Sequence, residues 1–512
     1  MKKHTEKQGW PLALFTIGVF MAGLDNGIIG TALTTINEFF GVSPSWGAWT
    51  ITLYTLGIAI SVPIIGKLSD RYGRKRMFLI EITLFGLGSL FVALSPNFTA
   101  LLLSRFIQAI GGGGIFIIGS SHILATVPKE KQGKALGMLG SMHGLSAIVG
   151  PNVGAVILQL TGSWQWMFLI NIPIAMFLLL FGLLKIKESP TTEKGSLDLT
   201  GTMLLMLSIL SFMLGTTQLE GKSFAEIISD IKIIILFLNA FFLFALLLSY
   251  ERRLESDGGD PILSVSLLSS RFFQMILFLS ILSGGFLAGI IFIPSYVQQV
   301  LQVPVEKAGF WITPFVLMSG AGAGIGGALT DRIGARQTVI ISGIIAGIGF
   351  ALFPFWVDSG GTFLLASVIA GVGFGFLLGA PLNVLTGQSA PEGEKGTALG
   401  LLSLTRQIGL TIFPMIFASF IANGMFNVPN VIDETFGEQT IEVTAETSST
   451  QEQYQDVVAQ IKTYDIATQH KMFKTISALL KASFDQMFLT STILAILVTV
   501  CGLFLIRMSP KQ

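Results

Sequence analysis

Asp25 stands in the middle of the apolar run LFTIGVFMAGLDNGIIGTAL, and Arg105 stands about two turns into another, FTALLLSRFIQAIGGGG. An ionised carboxylate at that depth in a bilayer costs about 2.5–3.5 kcal/mol even on insertion scales, so it must be held neutral or paired. A carboxyl that is protonated in one state and releases its proton when water or a cationic substrate arrives is a proton carrier. The same group hydrogen-bonded between helices is only a strut, and the sequence leaves both readings open. Arg105 is too deep to snorkel easily and cannot shed its charge, so it needs a partner; backbone carbonyls and Gln108 would serve as well as an acid. Arg406 is a parallel case in the other half of the chain, suited either to an anionic or lipid headgroup or to carbonyls alone. Gln108, His143, Asn152, Arg406 and Glu81 are the candidates for lining a substrate cavity. Glu81 reads first as an interfacial acid neutralised by Arg74, Lys75 and Arg76, and His122 and His143 as hydrogen-bonded packing residues, the more common role of a lone helical histidine.

The elements that must position these groups are membrane helices. Only 12% of the 512 residues are charged, while 51% are hydrophobic and 41 are Phe. A soluble domain would carry about twice that charge. A net charge of +1 gives no basic face for nucleic acid. The single cysteine, Cys501, excludes an intramolecular disulfide and builds no metal site. About fourteen apolar stretches are long enough to span. They begin near Pro11, Trp46, Met77, Phe98, Ala135, Trp166, Leu199, Ile233, Phe273, Phe310, Val339, Phe363, Ala398 and Phe484. Lys and Arg collect in alternate connections, such as Lys67 to Arg76, Lys129 to Lys134, and Arg332 with Arg336, whereas the turns near Gly41, Pro96 and Gly162 have none. The positive-inside rule then puts both termini in the cytoplasm, with the first span a retained helix of a cell-membrane protein.

The chain repeats itself. GKLSDRYGRKR from Gly66 returns as GALTDRIGAR from Gly327, and GKALG from Gly133 returns as GTALG from Gly396. The first charged turn follows span two and the second span ten, which predicts six helices, two inserted helices and six more. The halves are residues 1–190 and 261–512, with the inserted pair in 191–260 and an outer acidic loop at about 427–470. Within that loop residues 440–444 alternate as a short strand does, and the residues after Gln451 read as helix. Gly66, Asp70, Arg71, Gly73 and Arg74, with Asp331 and Arg332 in the repeat, form a candidate latch: a carboxylate near helix N-termini makes contacts available in one arrangement only. In span five, Gly144, Gly150, Pro151 and Gly154 interrupt the helix ladder and admit a close neighbour. Gly221-Lys222-Ser223 mimics the end of a phosphate loop, but residue 216 is Thr, and no enzymatic reading survives.

On the latch loop, on Arg105-x-x-Gln108 with its glycines, on Gly144 through Gly154, and on Leu24-Asp25 with Ala32-Leu33, the chain resembles the major facilitator superfamily, in its fourteen-span drug:proton antiporter branch. Gly27 and Thr34 depart from that branch, which usually shows Thr and Pro there. The resemblance implies an all-α membrane protein whose two six-helix halves rock around a midplane cavity. It also implies a role for Arg105 in proton movement and makes the span-five glycines the antiporter signature. The expected function is export of lipophilic, cationic or neutral compounds in exchange for protons by a monomer among membrane lipids, with no cofactor. A lipid or glycolipid flippase of the same fold is the alternative, and would need a lateral opening and an anionic-headgroup site such as Arg406.

Overall fold

A computed structural model describes residues 9–188, 198–219, 229–391, 393–436 and 450–508. Among them, fourteen helices are long and apolar enough to cross a membrane. Spans one to six are Gly9–Phe40, Trp49–Tyr72, Arg74–Ala93, Phe98–Thr126, Lys129–Thr161 and Gln165–Lys185. Spans seven and eight are Leu199–Thr217 and Ile231–Ser256. Spans nine to fourteen are Arg271–Gln299, Gly309–Ile333, Ala335–Trp356, Gly360–Ser389, Lys395–Phe436 and Ile466–Arg507. Two six-helix halves with an inserted pair make an all-α architecture, with no strand among the described residues.

The last span departs most from expectation, starting at Ile466 and not near Phe484. Asp465 caps it, its carboxylate accepting from the amides of Ala467 and Thr468 at 3.1 Å each. The added turns are amphipathic: Met472, Ile476 and Leu480 form a buried stripe while Lys481 pairs with Asp485 at 3.1 Å. A stripe at helical spacing averages to low hydropathy, so a search for apolar runs passes over it. The described parts of the acidic stretch are also helical, over Val428–Phe436 and Thr450–Ile461. The strand expected at 440–444 and the phosphate-loop mimic at 221–223 lie outside the described residues.

The repeated sequence produces repeated geometry. Gly73 and Gly334 end spans two and ten with φ of +95° and +98°, a conformation open to glycine at little cost. Two seams join the halves, span two against span thirteen and span five against span ten. Gly66 meets the Gly396 carbonyl in one, and Gly133 meets the Gly327 carbonyl in the other. Along span five the latch end is buried at Gly133, Leu136, Leu139 and Gly140, whereas Pro151, Asn152, Ala155 and Val156 are exposed. The halves are therefore shut at the latch end and looser at the other.

Span one lies on span five through glycine. A Cβ on Gly150 would sit 2.7 Å from the Gly27 Cα, which is backbone and cannot step aside. Gly150→Val is therefore expected to lower stability by about 1–3 kcal/mol, the usual cost of overpacking. Gly30→Ala, on span one, meets nothing within 4 Å and is the neutral control. Thermal unfolding in detergent checks this: equal midpoints for the two variants would refute the close approach.

Candidate functional site

Five helices converge on Asp25. Its Oδ2 accepts from Arg105 Nη1 at 2.6 Å, and its Oδ1 accepts from Gln108 Nε2 at 2.8 Å and Asn171 Nδ2 at 3.1 Å. Gln108 Oε1 accepts from the same Arg105 nitrogen at 2.7 Å, while Gln108 Nε2 and Asn171 Nδ2 reach Ser89 Oγ at 2.7 and 3.2 Å. The Tyr54 ring lies 4.0 Å from the guanidinium carbon, a cation–π contact that covers the charge where hydrogen bonds run out. Asp25, Arg105, Gln108, Ser89 and Asn171 are all fully buried. Span four comes this close to span three because Gly88 has no side chain; a Cβ there would lie 2.6 Å from Gln108 Cα. The two charges that the sequence singles out are each other's partners. Asn171, Ser89 and Tyr54 complete the clasp and were missed; the available signal was an amide and two hydroxyls inside apolar spans.

Three expected cavity residues lie elsewhere. Gln108 is part of the clasp and is not in the lining of the midplane cavity. Glu81 is fully buried and unpaired with Arg74, Lys75 or Arg76 among the described contacts. Span four breaks at Gly114, and Glu81 Oε2 accepts the amide freed there at 2.9 Å. Nearness in sequence to a basic cluster misled because the helix turns this side chain inward, toward span four. Asn152 is exposed on span five beyond Pro151, bonded to the Ile148 carbonyl at 2.8 Å, and does not line the midplane cavity either.

That cavity, of about 160 Å³, lies between the halves. His143 from span five and Arg406 from span thirteen line it, with Phe116, Gln407 and aliphatic side chains. Arg406 Nε donates to Ser283 Oγ at 3.2 Å, and its buried Nη2 has no hydrogen-bond acceptor. The lining includes no Asp or Glu, so a cationic cargo finds no counter-ion there. Nor do the described residues hold a group of three His, Cys, Asp or Glu fit for a metal ion.

The carboxylates of the expected latch are engaged in both repeats. Asp70 accepts from the amides of Gly396 and Thr397 at 3.0 and 2.9 Å and from the Thr397 hydroxyl at 3.3 Å. Arg74 donates to it at 3.3 Å and to Ser121 at 3.0 Å. Asp331 accepts from the amides of Gly133 and Lys134 at 2.7 and 2.8 Å. Each carboxylate thus binds a helix of the opposite half: Asp70 caps the first turn of span thirteen, where unpaired amides and the helix dipole favour an anion, and Asp331 holds amides just past the first turn of span five. Arg71 and Lys67 instead pair with Asp260 at the entry to the second half, the former at 3.9 Å. Burial beside this cluster pushes the Glu394 carboxyl above its ordinary range, and Lys67 pulls it back. Arg332 is exposed, with no ion pair to its own repeat's carboxylate among the described residues. Of the span-five glycines, Gly144 faces Gly320 of span ten, while Gly150 and Gly154 face span one.

Comparison with known proteins agrees with this architecture. The chain is 54% identical over 504 residues to the uncharacterized MFS-type transporter YfiU of Bacillus subtilis (strain 168), covering 96% of each chain. It is 34% identical over 418 residues to Multidrug resistance protein 3 of the same organism, covering 81% of this chain and 80% of that one. Among solved structures, the proton:xylose symporter XylE superposes with a TM-score of 0.59 at 15% identity, covering 94% of this chain and 95% of that chain, a likeness of fold. The family profile described as Major Facilitator Superfamily matches residues 15–414, and the chain, with its duplicated halves, belongs to that superfamily of membrane transporters.

Proposed function

We propose that this transporter exports lipophilic compounds across the cell membrane in exchange for protons, by alternating access, with the latch end and both termini in the cytoplasm. The observation that carries the reading is the fully buried Asp25–Arg105 pair. An ionised Asp25 satisfies Arg105; a protonated one cannot, and the clasp between spans one and four must then loosen. Span one rests on span five through Gly27 and Gly150, and span five carries the amides that Asp331 holds. Proton arrival at Asp25 therefore bears mechanically on the latch. The names of relatives point the same way, Multidrug resistance protein 3 at 34% identity and the probable multidrug resistance protein EmrY of Escherichia coli (strain K12) at 30%.

A proton crossing about 100 mV releases about 2.3 kcal/mol, enough for somewhat under two decades of cargo gradient. Purified protein in vesicles with a trapped pH indicator tests the exchange, using lipophilic probes of positive, zero and negative charge. At least one probe is expected to move protons opposite to its own flux, with uphill movement of the probe when a pH gradient is imposed. Folded protein that moves none of them in response to a pH gradient would overturn the reading.

A further inference from the structure

The inserted hairpin of spans seven and eight lies over one of the two equivalent seams. It packs against span two and reaches span thirteen, where Thr411 Oγ1 approaches Met213 Sδ at 3.9 Å. Enclosed between the hairpin and the span two–thirteen seam is a second cavity, of about 360 Å³, more than twice the midplane one. Its walls are apolar, with Ile209, Phe237 and Phe241 from the hairpin and Ser208 and Gln407 as the polar exceptions. Phe241 is 74% exposed, so the cavity opens on the side where lipid tails lie.

Ala59, Leu404 and Gln407 line both cavities. These three side chains stand between a tail-sized apolar chamber and the midplane cavity. On the midplane side of it, next along span thirteen, is Arg406, a cation with an unsatisfied buried nitrogen and no acid among the residues around it. A permanent charge held in apolar surroundings without a counter-ion is a site awaiting an anion, and the guanidinium fork matches an oxyanion in two-point geometry. His143 faces the same cavity and offers a second donor. Together the cavities fall within the roughly 300–1,000 Å³ usual for small-molecule sites.

We propose that the cargo is a single-tailed amphiphilic anion: its oxyanion head pairs with Arg406 in the midplane cavity, and its tail lies in the chamber beneath the inserted hairpin, entering past Ala59, Leu404 and Gln407. The inference rests on the export reading of the same cavity. It gives the inserted pair a task, that of a lateral wall which admits cargo from the membrane, and it differs from the cationic or neutral cargo expected from the sequence.

Equilibrium binding to the purified full-length chain decides it without requiring transport. The probes share one tail length and differ in head: radiolabelled dodecanoate, dodecyl phosphate and dodecyltrimethylammonium, with phosphatidylglycerol as a two-tailed competitor. Dodecanoate and dodecyl phosphate are expected to bind and the ammonium compound to bind far less. Arg406→Gln should weaken both anions about tenfold or more, the worth of one charge-assisted contact, and Arg406→Lys should recover part of that. Ala240→Trp, which fills the side chamber, should weaken dodecanoate strongly and octanoate less; a normal melting profile shows that each variant folds. Equal binding of the ammonium and carboxylate probes, or anion binding indifferent to Arg406→Gln, overturns the head-group assignment. Dodecanoate binding indifferent to Ala240→Trp, or displacement by phosphatidylglycerol at lower concentration than by dodecanoate itself, overturns the single-tail assignment. If vesicles move no probe at all, the export reading fails while binding still decides the site; if a cationic dye is exported and dodecanoate does not bind, this inference fails and export stands.

Discussion

Asp25→Asn is expected to give a folded transporter whose uphill, pH-driven export is abolished, an accumulation of up to about fiftyfold falling to none. Asn has the same shape and its carbonyl can still accept from Arg105 Nη1, now 2.6 Å from the carboxylate, but it neither binds nor releases a proton in this range. The variant also leaves the Arg105 charge uncompensated in a fully buried place, and breaking such a pair costs about 3–5 kcal/mol, so the melting temperature falls as well. Removing both charges in Asp25→Asn with Arg105→Gln separates the two roles. A strut needs only a satisfied network, so it predicts that the double variant regains stability and transport together. A proton carrier predicts that stability returns and coupling does not. Undiminished pH-driven export by Asp25→Asn, or coupling restored in the double variant, would remove Asp25 from the mechanism.

Breaking one latch should move the conformational equilibrium as sharply. Asp70→Asn keeps the size of the side chain and removes the charge that caps span thirteen through Gly396 and Thr397. Hydrogen bonds to a charged group are worth about 1.5–3 kcal/mol, so the ratio of latch-closed to latch-open molecules is expected to fall about ten- to a hundredfold. Arg74 loses its counter-ion too, keeping Ser121. The lone cysteine makes the measurement simple: Cys501→Ser followed by Lys131→Cys and Ile333→Cys places spin labels at exposed positions on opposite sides of the span five–ten seam. The distance distribution of Asp70→Asn should shift to longer separations, and Asp331→Asn should act in the same direction because its carboxylate holds span five in the same state. An unchanged distribution in both variants would mean that these carboxylates are hairpin structure and not a latch.

How much of this was written in the chain differs from residue to residue. Asp25 and Arg105 stand out because charge inside a long apolar run is conspicuous on hydropathy alone, and the duplicated GxLxDR frame marks both latch carboxylates. Their partners are another matter. Asp25 meets Arg105 because spans one and four present these residues at the same depth and facing each other, which linear spacing does not encode. Asn171 and Ser89 are ordinary polar residues until they are seen converging on one carboxylate. Glu81 shows the opposite error: its sequence neighbours are cations, yet its contact is a backbone amide exposed by the glycine break of span four.

Hydropathy, charge placement and repetition thus determined the number of crossings, the duplication and the identity of the buried charges, because each is a property of composition along one dimension. Only the tertiary structure decided which charges are partners, that the lining of the midplane cavity carries Arg406 without an acid, and that the inserted hairpin encloses a chamber against the seam between the halves. Those facts depend on the azimuth and depth of each helix, which are set by how glycine-lined faces pack against one another, and many sequences with the same apolar pattern would pack them differently.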